Sequence, residues 1–181
     1  MRYFCTLMIF VVLLLAACSP LRNPSATPSP ATAATPAQPQ ANFAFSFAFG
    51  TCSTDVLDTF EQTYTREIEP GESVSIPITL REAQMASIYR KMVEINFFDY
   101  PEVFQIPVKE GETVGMVTPA PSYRFTVRSG ELTKTVTWTD EIIDPTSPQA
   151  DALRELAQVL MQVIESHPDI QRLPPSNIFC L

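Results

Sequence analysis

Between Phe43 and Phe49 every second residue is phenylalanine, in the run Phe43-Ala44-Phe45-Ser46-Phe47-Ala48-Phe49. Successive side chains of a strand point to opposite faces, so the alternation puts four rings on one face and Ala or Ser on the other. A helix would scatter the same rings around its axis. One face of this strand therefore has to be covered, and Gly50 ends it. The rest of the chain must supply the covering layer.

Downstream segments divide into strands and helices by period. A second strand is expected over Val56 to Ile68, with Phe60, Tyr64 and Ile68 on one side and several Thr suited to a pleated surface. Glu69-Pro70-Gly71-Glu72 reads as a turn before a short strand at Ser73 to Ile78. Thr79-Leu80-Arg81-Glu82 fits a capping box, with Thr79 as N-cap. The helix it opens carries Met85, Ile88, Tyr89, Met92 and Val93 as a one-sided stripe and ends near Asn96. Tyr123–Val127 and Leu132–Trp138 read as a hairpin around Gly130. Ser147 and Pro148 then suit the cap and first position of a last helix, with Leu153, Leu156, Leu160, Val163 and Ile164 as its apolar face. His167-Pro168 stops it, with His167 expected to satisfy the last carbonyls. Strand–strand–helix thus occurs twice, around 56–95 and 123–166. The expected class is α+β: an antiparallel sheet with two helices packed on one face.

What precedes this domain is of another kind. Residues 19–42 contain six Pro and six Ala without apolar periodicity, a composition that cannot bury enough surface to fold. As an extended, disordered tether they would reach about 70 Å. Ahead of them, Arg2 precedes an apolar run from Phe4 to Leu15, and small Ala16 and Ala17 lead to Cys18. The run is shorter than the roughly 20 apolar residues that cross a bilayer and has the order of a secretory signal. Leu15-Ala16-Ala17-Cys18 resembles the lipobox of bacterial lipoproteins, over residues 1–19. That resemblance implies cleavage after Ala17, a diacylglyceryl group on the Cys18 sulfur and an extracytoplasmic protein anchored to the cell membrane, or to the outer membrane in a Gram-negative cell. The alternative is an ordinary signal peptide, with Cys18 a free thiol. The organisation expected is a signal over 1–17, a lipidated tether over 18–42 and one globular domain over 43–181.

A second resemblance is broader and looser. Phe49-Gly50-Thr51-Cys52, paired strands, a helix ending in Asn96-Phe97-Phe98, then a hairpin and helix is similar to small domains of unknown function in secreted bacterial lipoproteins, over most of 45–166. It implies no activity.

Loss of residues 1–17 leaves 11 basic side chains against 20 acidic ones, a net charge of −9. Such a surface opposes nucleic acid, whose binding depends on clustered Lys and Arg. Of four cysteines, the lipobox resemblance implies that Cys5 leaves with the signal and that Cys18 carries lipid, so Cys52 and Cys180 remain. An even remainder outside the cytoplasm favours a disulfide between them, the alternative being a buried thiol and a loose one.

Chemistry is harder to place. His167 is the only histidine, and the chain has no G-x-S-x-G elbow, H-E-x-x-H helix, P-loop or dinucleotide glycine pattern. Asp55 with Asp58, Glu110 with Glu112, and Asp140, Glu141 with Asp144 are close acidic groups, yet none has the spacing of a calcium loop and no metal is expected. No cofactor is implied. The connection from Pro101 to Ser122 is long for a loop and apolar for a disordered one. Phe104, Ile106, Val114 and Met116 mark it as a candidate binding loop; an added edge strand at 103–108 is the other reading. The function expected is a membrane-anchored, non-catalytic binding module of the cell envelope, with an envelope protein as a partner it could take. A hydrolase using Asp55, Asp58 or His167, and a structural spacer, are the alternatives.

Overall fold

The structure, a computed structural model, describes residues 39, 42–108, 110–111, 113–143 and 147–180. These all fall in the unit Thr35–Leu181. The signal segment, Cys18, nearly all of the tether, Glu112 and Asp144 lie outside the described residues.

Phe45 and Phe47 are fully buried, and their strand, β1 (Ala44–Gly50), lies inside a six-stranded antiparallel sheet. The chain leaves β1 through β2 (Asp55–Asp58), β3 (Thr63–Glu69) and β4 (Glu72–Pro77), each pairing with the one before. It then crosses the sheet as α1 (Glu82–Glu94) and a 3-10 turn at Phe97–Asp99. Two residues, Gly115–Met116, form β5, and β6 (Ser122–Ser129) returns to the other side of β1 with β7 (Leu132–Thr139) beyond it. The strand order is β4-β3-β2-β1-β6-β7. A separate two-stranded ladder joins β5 to β8 (Ile142–Ile143). The chain closes with α2 (Pro148–Glu165) and a short α3 (Pro168–Gln171). The class is α+β.

Register explains the core. Phe47 faces Leu57 on β2 and Phe125 on β6, and Leu57 faces Tyr64 on β3. Directly paired residues share a face, so these side chains line one side of the sheet. Val127, Val136 and Trp138 continue it, and all are buried with Ile88 and Met92 of α1 and Leu153, Leu156, Leu160 and Ile164 of α2. Each large apolar side chain buried in this way contributes roughly 1.5–3 kcal/mol before entropy is charged against it. The other face carries Thr65, Ser75, Thr126 and Thr135, whose hydroxyls meet across strands at 2.7 and 3.3 Å.

Three details differ from the sequence reading. The span 56–68 is two strands, because the Asp58 carboxylate accepts from the Phe60 and Glu61 N–H groups at 2.8 and 3.0 Å and turns the chain back. Gln62 completes the turn at φ 55°. Phe60 therefore leaves the strand face, and the Arg128 guanidinium lies over its ring at 4.9 Å. Next, α1 begins at Glu82 rather than at Leu80, so Thr79 is not its cap. Ile78 is buried and its N–H donates to the Gln62 carbonyl at 2.8 Å, which holds 78 to the preceding turn. Gln84 Oε1 instead accepts the Arg81 N–H at 2.9 Å. Finally, His167 does not serve the end of α2 with its side chain. Ser166 Oγ donates to the Val163 carbonyl and Gln171 Nε2 to that of Glu165, both at 2.7 Å. Ser147 does cap α2, accepting from the Ala150 N–H at 3.4 Å, with Pro148 following.

Cys52 and Cys180 are joined, with Cα atoms 5.4 Å apart across 128 positions of sequence. That separation is ordinary for a disulfide. The tail reaching Cys180 has a second attachment. β3 bulges between Glu67 and Glu69, where two steps on β3 oppose one on β4, so Ile68 has no ladder partner. Its carbonyl accepts the Asn177 N–H at 2.9 Å, and Asn177 Nδ2 donates to Glu69 at 2.9 Å.

Candidate functional site

Where β1 ends and β2 begins, Phe49 pairs with Asp55, so Asp55 is a carboxylate on the helix-covered face of the sheet. Tyr64 and Arg66 stand two apart on β3 and face the same way. The three meet: the Tyr64 hydroxyl donates to Asp55 Oδ2 at 2.6 Å, Arg66 Nε donates to the same oxygen at 3.3 Å, and Arg66 Nη2 donates to the Tyr64 oxygen at 3.3 Å. The guanidinium also lies 5.6 Å from the centre of the Tyr64 ring. Asp55 Oδ1 is out of solvent contact and has no hydrogen-bond partner among the described residues.

These groups line the sheet side of a cavity of about 470 Å³. Met161, Ile164 and Glu165 of α2 form the opposite wall, and Ile170 and Gln171 of α3 extend it. The size is that of a small-molecule site, and the mixture of apolar wall with a few converging polar groups is what such sites use. A second groove of about 590 Å³ adjoins it at the same end of the sheet, sharing Phe49 and carrying Arg124 among Thr54, Ser122 and Thr139.

Protonation follows from surroundings. Burial first, and then the hydrogen bond to Asp55, push the Tyr64 phenol far above its usual range, so it stays a donor. Burial works against the Arg66 charge, but Tyr64 and Asp55 outweigh it and raise its pKa overall. The trio is thus a charge-balanced clamp in which neither the phenol nor the guanidinium releases a proton at neutral pH.

The two aspartates singled out in the sequence are not brought together. Asp55 and Asp58 sit at opposite ends of β2, an odd number of positions apart, and so on opposite faces about 10 Å from each other. Asp58 is occupied by its turn. His167 Nδ1 is buried without a hydrogen-bond partner among the described residues, 4.0 Å from Asp169. No serine, threonine or cysteine is hydrogen-bonded to that imidazole among the described residues. Asp140 accepts two bonds from Arg154, at 2.8 and 2.6 Å, and Arg154 lies 5.5 Å over the Trp138 ring. Of the acidic residues read from the sequence, Asp58 thus holds a turn, and Asp55 and Asp140 are in ion pairs. No group of three or more His, Cys, Asp or Glu converges as a metal site among the described residues.

The candidate loop separates into two parts. Phe104 and Ile106 are buried core residues, Phe104 wedged against Tyr100 and Trp138. Their side chains are consequently withdrawn from any surface contact. Val103 makes a single parallel bridge to Thr137, with backbone bonds of 2.8 and 2.9 Å on either side, so the added edge is one bridge long. Val114 is half-buried and Met116 is exposed.

The cavity at Asp55 was not legible as a site in the sequence. A signal was present in Arg66, a charged residue two positions from the apolar-face Tyr64 on one strand. Compared with known proteins, the chain matches no family model and no curated sequence.

Proposed function

We propose that the chain is a membrane-anchored extracytoplasmic lipoprotein whose domain is a non-catalytic binding module of the cell envelope. The cavity between the Asp55–Tyr64–Arg66 trio and α2–α3 carries this reading. It offers an apolar wall and fixed polar groups, while Asp55 and Asp58 lie on opposite faces of the sheet and no serine, threonine or cysteine is hydrogen-bonded to His167 among the described residues. A spacer alone has no use for such a cavity. The lipobox at Leu15-Ala16-Ala17-Cys18 supports the anchor, and the paired Cys52 and Cys180 fit an oxidising compartment. Residues 19–42 then act as a spacer holding the domain off the membrane, and Met116, on the exposed part of the 101–122 connection, is where an envelope protein would touch.

Two measurements test this. Intact mass of the mature protein should show residues 18–181 carrying a diacylglyceryl group, and Cys18→Ala should move the protein from the membrane to the soluble fraction. For binding, the detergent-solubilised mature protein is incubated with the small-molecule fraction of an envelope extract and examined by native mass spectrometry. A retained adduct in wild type, lost in a Met161→Trp variant that fills the cavity, is the expected result. Identical spectra for the two proteins would refute a binding role for the cavity.

A further inference from the structure

The chemistry facing the cavity narrows what enters it, and this step rests on the binding-module reading. Asp55 and Arg66 neutralise one another through their 3.3 Å ion pair. Glu165 remains as the other charged side chain of the lining, so the cavity as a whole is anionic. The hydrogen bonding is unbalanced in the same sense. Asp55 Oδ2 takes both available donors, from Tyr64 and Arg66, while Oδ1 has none among the described residues. A buried carboxylate oxygen without a donor is costly, and a charged donor relieves it more than a neutral one. The terminal torsion of aspartate is broad, so a modest rotation of the carboxylate turns Oδ1 toward a donor in the cavity. Phe49, Met161, Ile164 and Ile170 present only apolar surface to whatever carries that donor. A carboxylate or phosphate ligand would face Asp55 and Glu165 with the Arg66 guanidinium already engaged.

We propose that this cavity binds a primary ammonium group on a short apolar stem, the ammonium on Asp55 and the stem against Phe49, Met161 and Ile170. The selectivity comes from Asp55 and the affinity from the wall, so an amine without a stem and a stem without an amine both bind poorly.

The test uses detergent-solubilised mature protein with three probes: phenethylamine, 3-phenylpropanoate and ethylamine. Saturation-transfer NMR and calorimetry should find saturable binding of phenethylamine; 3-phenylpropanoate should be at least about tenfold weaker for want of one charge-assisted hydrogen bond, and ethylamine at least about tenfold weaker for want of the apolar ring. Asp55→Asn should weaken phenethylamine by a similar factor. Because that change also loosens Arg66, Met161→Trp serves as the second variant; it leaves the carboxylate untouched and should abolish binding by filling the space. Stronger or equal binding of 3-phenylpropanoate would overturn the ammonium assignment while leaving the cavity a binding site. Phenethylamine binding unchanged in both variants, or no saturable binding of it at all, would overturn the assignment too. The extract experiment above separately decides whether the cavity binds anything.

Discussion

Removing the Cys52–Cys180 bridge is the perturbation whose size follows most directly from the structure. The bridge spans 128 positions. In the chain-entropy account, closing so long a loop in the unfolded chain stabilises the folded state by about 5 kcal/mol, and removing native bridges costs about 2–5 kcal/mol. Unfolding entropy near 2.1 cal/mol/K per residue, over the roughly 140 residues of the domain, converts this to a fall in Tm of about 7–17 °C. The comparison is a thermal melt of a Cys52→Ser/Cys180→Ser double variant against oxidised wild type, followed by circular dichroism. Hydrogen exchange at the Asn177 amide separates global from local effects. That amide is held by the Ile68 carbonyl independently of the sulfurs, so its protection should fall only in step with overall stability. A Tm change under about 4 °C with rapid exchange confined to 174–180 would show that the bridge merely pins the tail, and the loop-entropy reasoning would be wrong.

Three further outcomes are expected. Stability should decline as pH rises from about 10, because burial raises the Tyr64, Tyr100 and Tyr123 phenols and hydrogen bonds to Glu155 and Glu94 raise Lys91. A pKa raised by folding means that the unfolded chain loses its protons first, so stability is complete below the unfolded values and drains away above them; urea midpoints at pH 8, 10 and 11 should fall, and Tyr64→Phe should flatten the fall. Asp140→Ala, which deprives Arg154 of two short charged hydrogen bonds, should cost about 2 kcal/mol in urea unfolding, and a cost near zero would show the pair to be solvent-screened. Leu156→Ala, at a fully buried position of α2, should cost about 2–5 kcal/mol in the same assay, whereas an exposed contact there would cost far less.

Much of the architecture could be read residue by residue. The alternating Phe run could only be a one-sided strand, Pro70-Gly71 and Gly130 could only be turns, and Ser147-Pro148 opened α2 where expected. These are local signals, and their physics is local. The break at 59–62 escaped because it contains neither Gly nor Pro; one aspartate carboxylate makes it, and Asp58 looks the same on a strand as at a turn. The site escaped for a different reason. Asp55, Tyr64 and Arg66 converge only once β2 and β3 pair in register, and that register depends on the concealed turn. The wall opposite comes from residues 161–171, whose position over β2 and β3 is set by long-range packing that no short segment encodes.

The register of β1 has a consequence for how the molecule is presented to its surroundings. The chain enters β1 at Ala44, opposite Arg128, whereas the cavity lies at the other end, where Phe49 meets Asp55. Five residues of strand, about 17 Å, separate the point of attachment from the mouth of the site. A group coupled at the entry to β1 is therefore attached at the end of that strand away from the cavity.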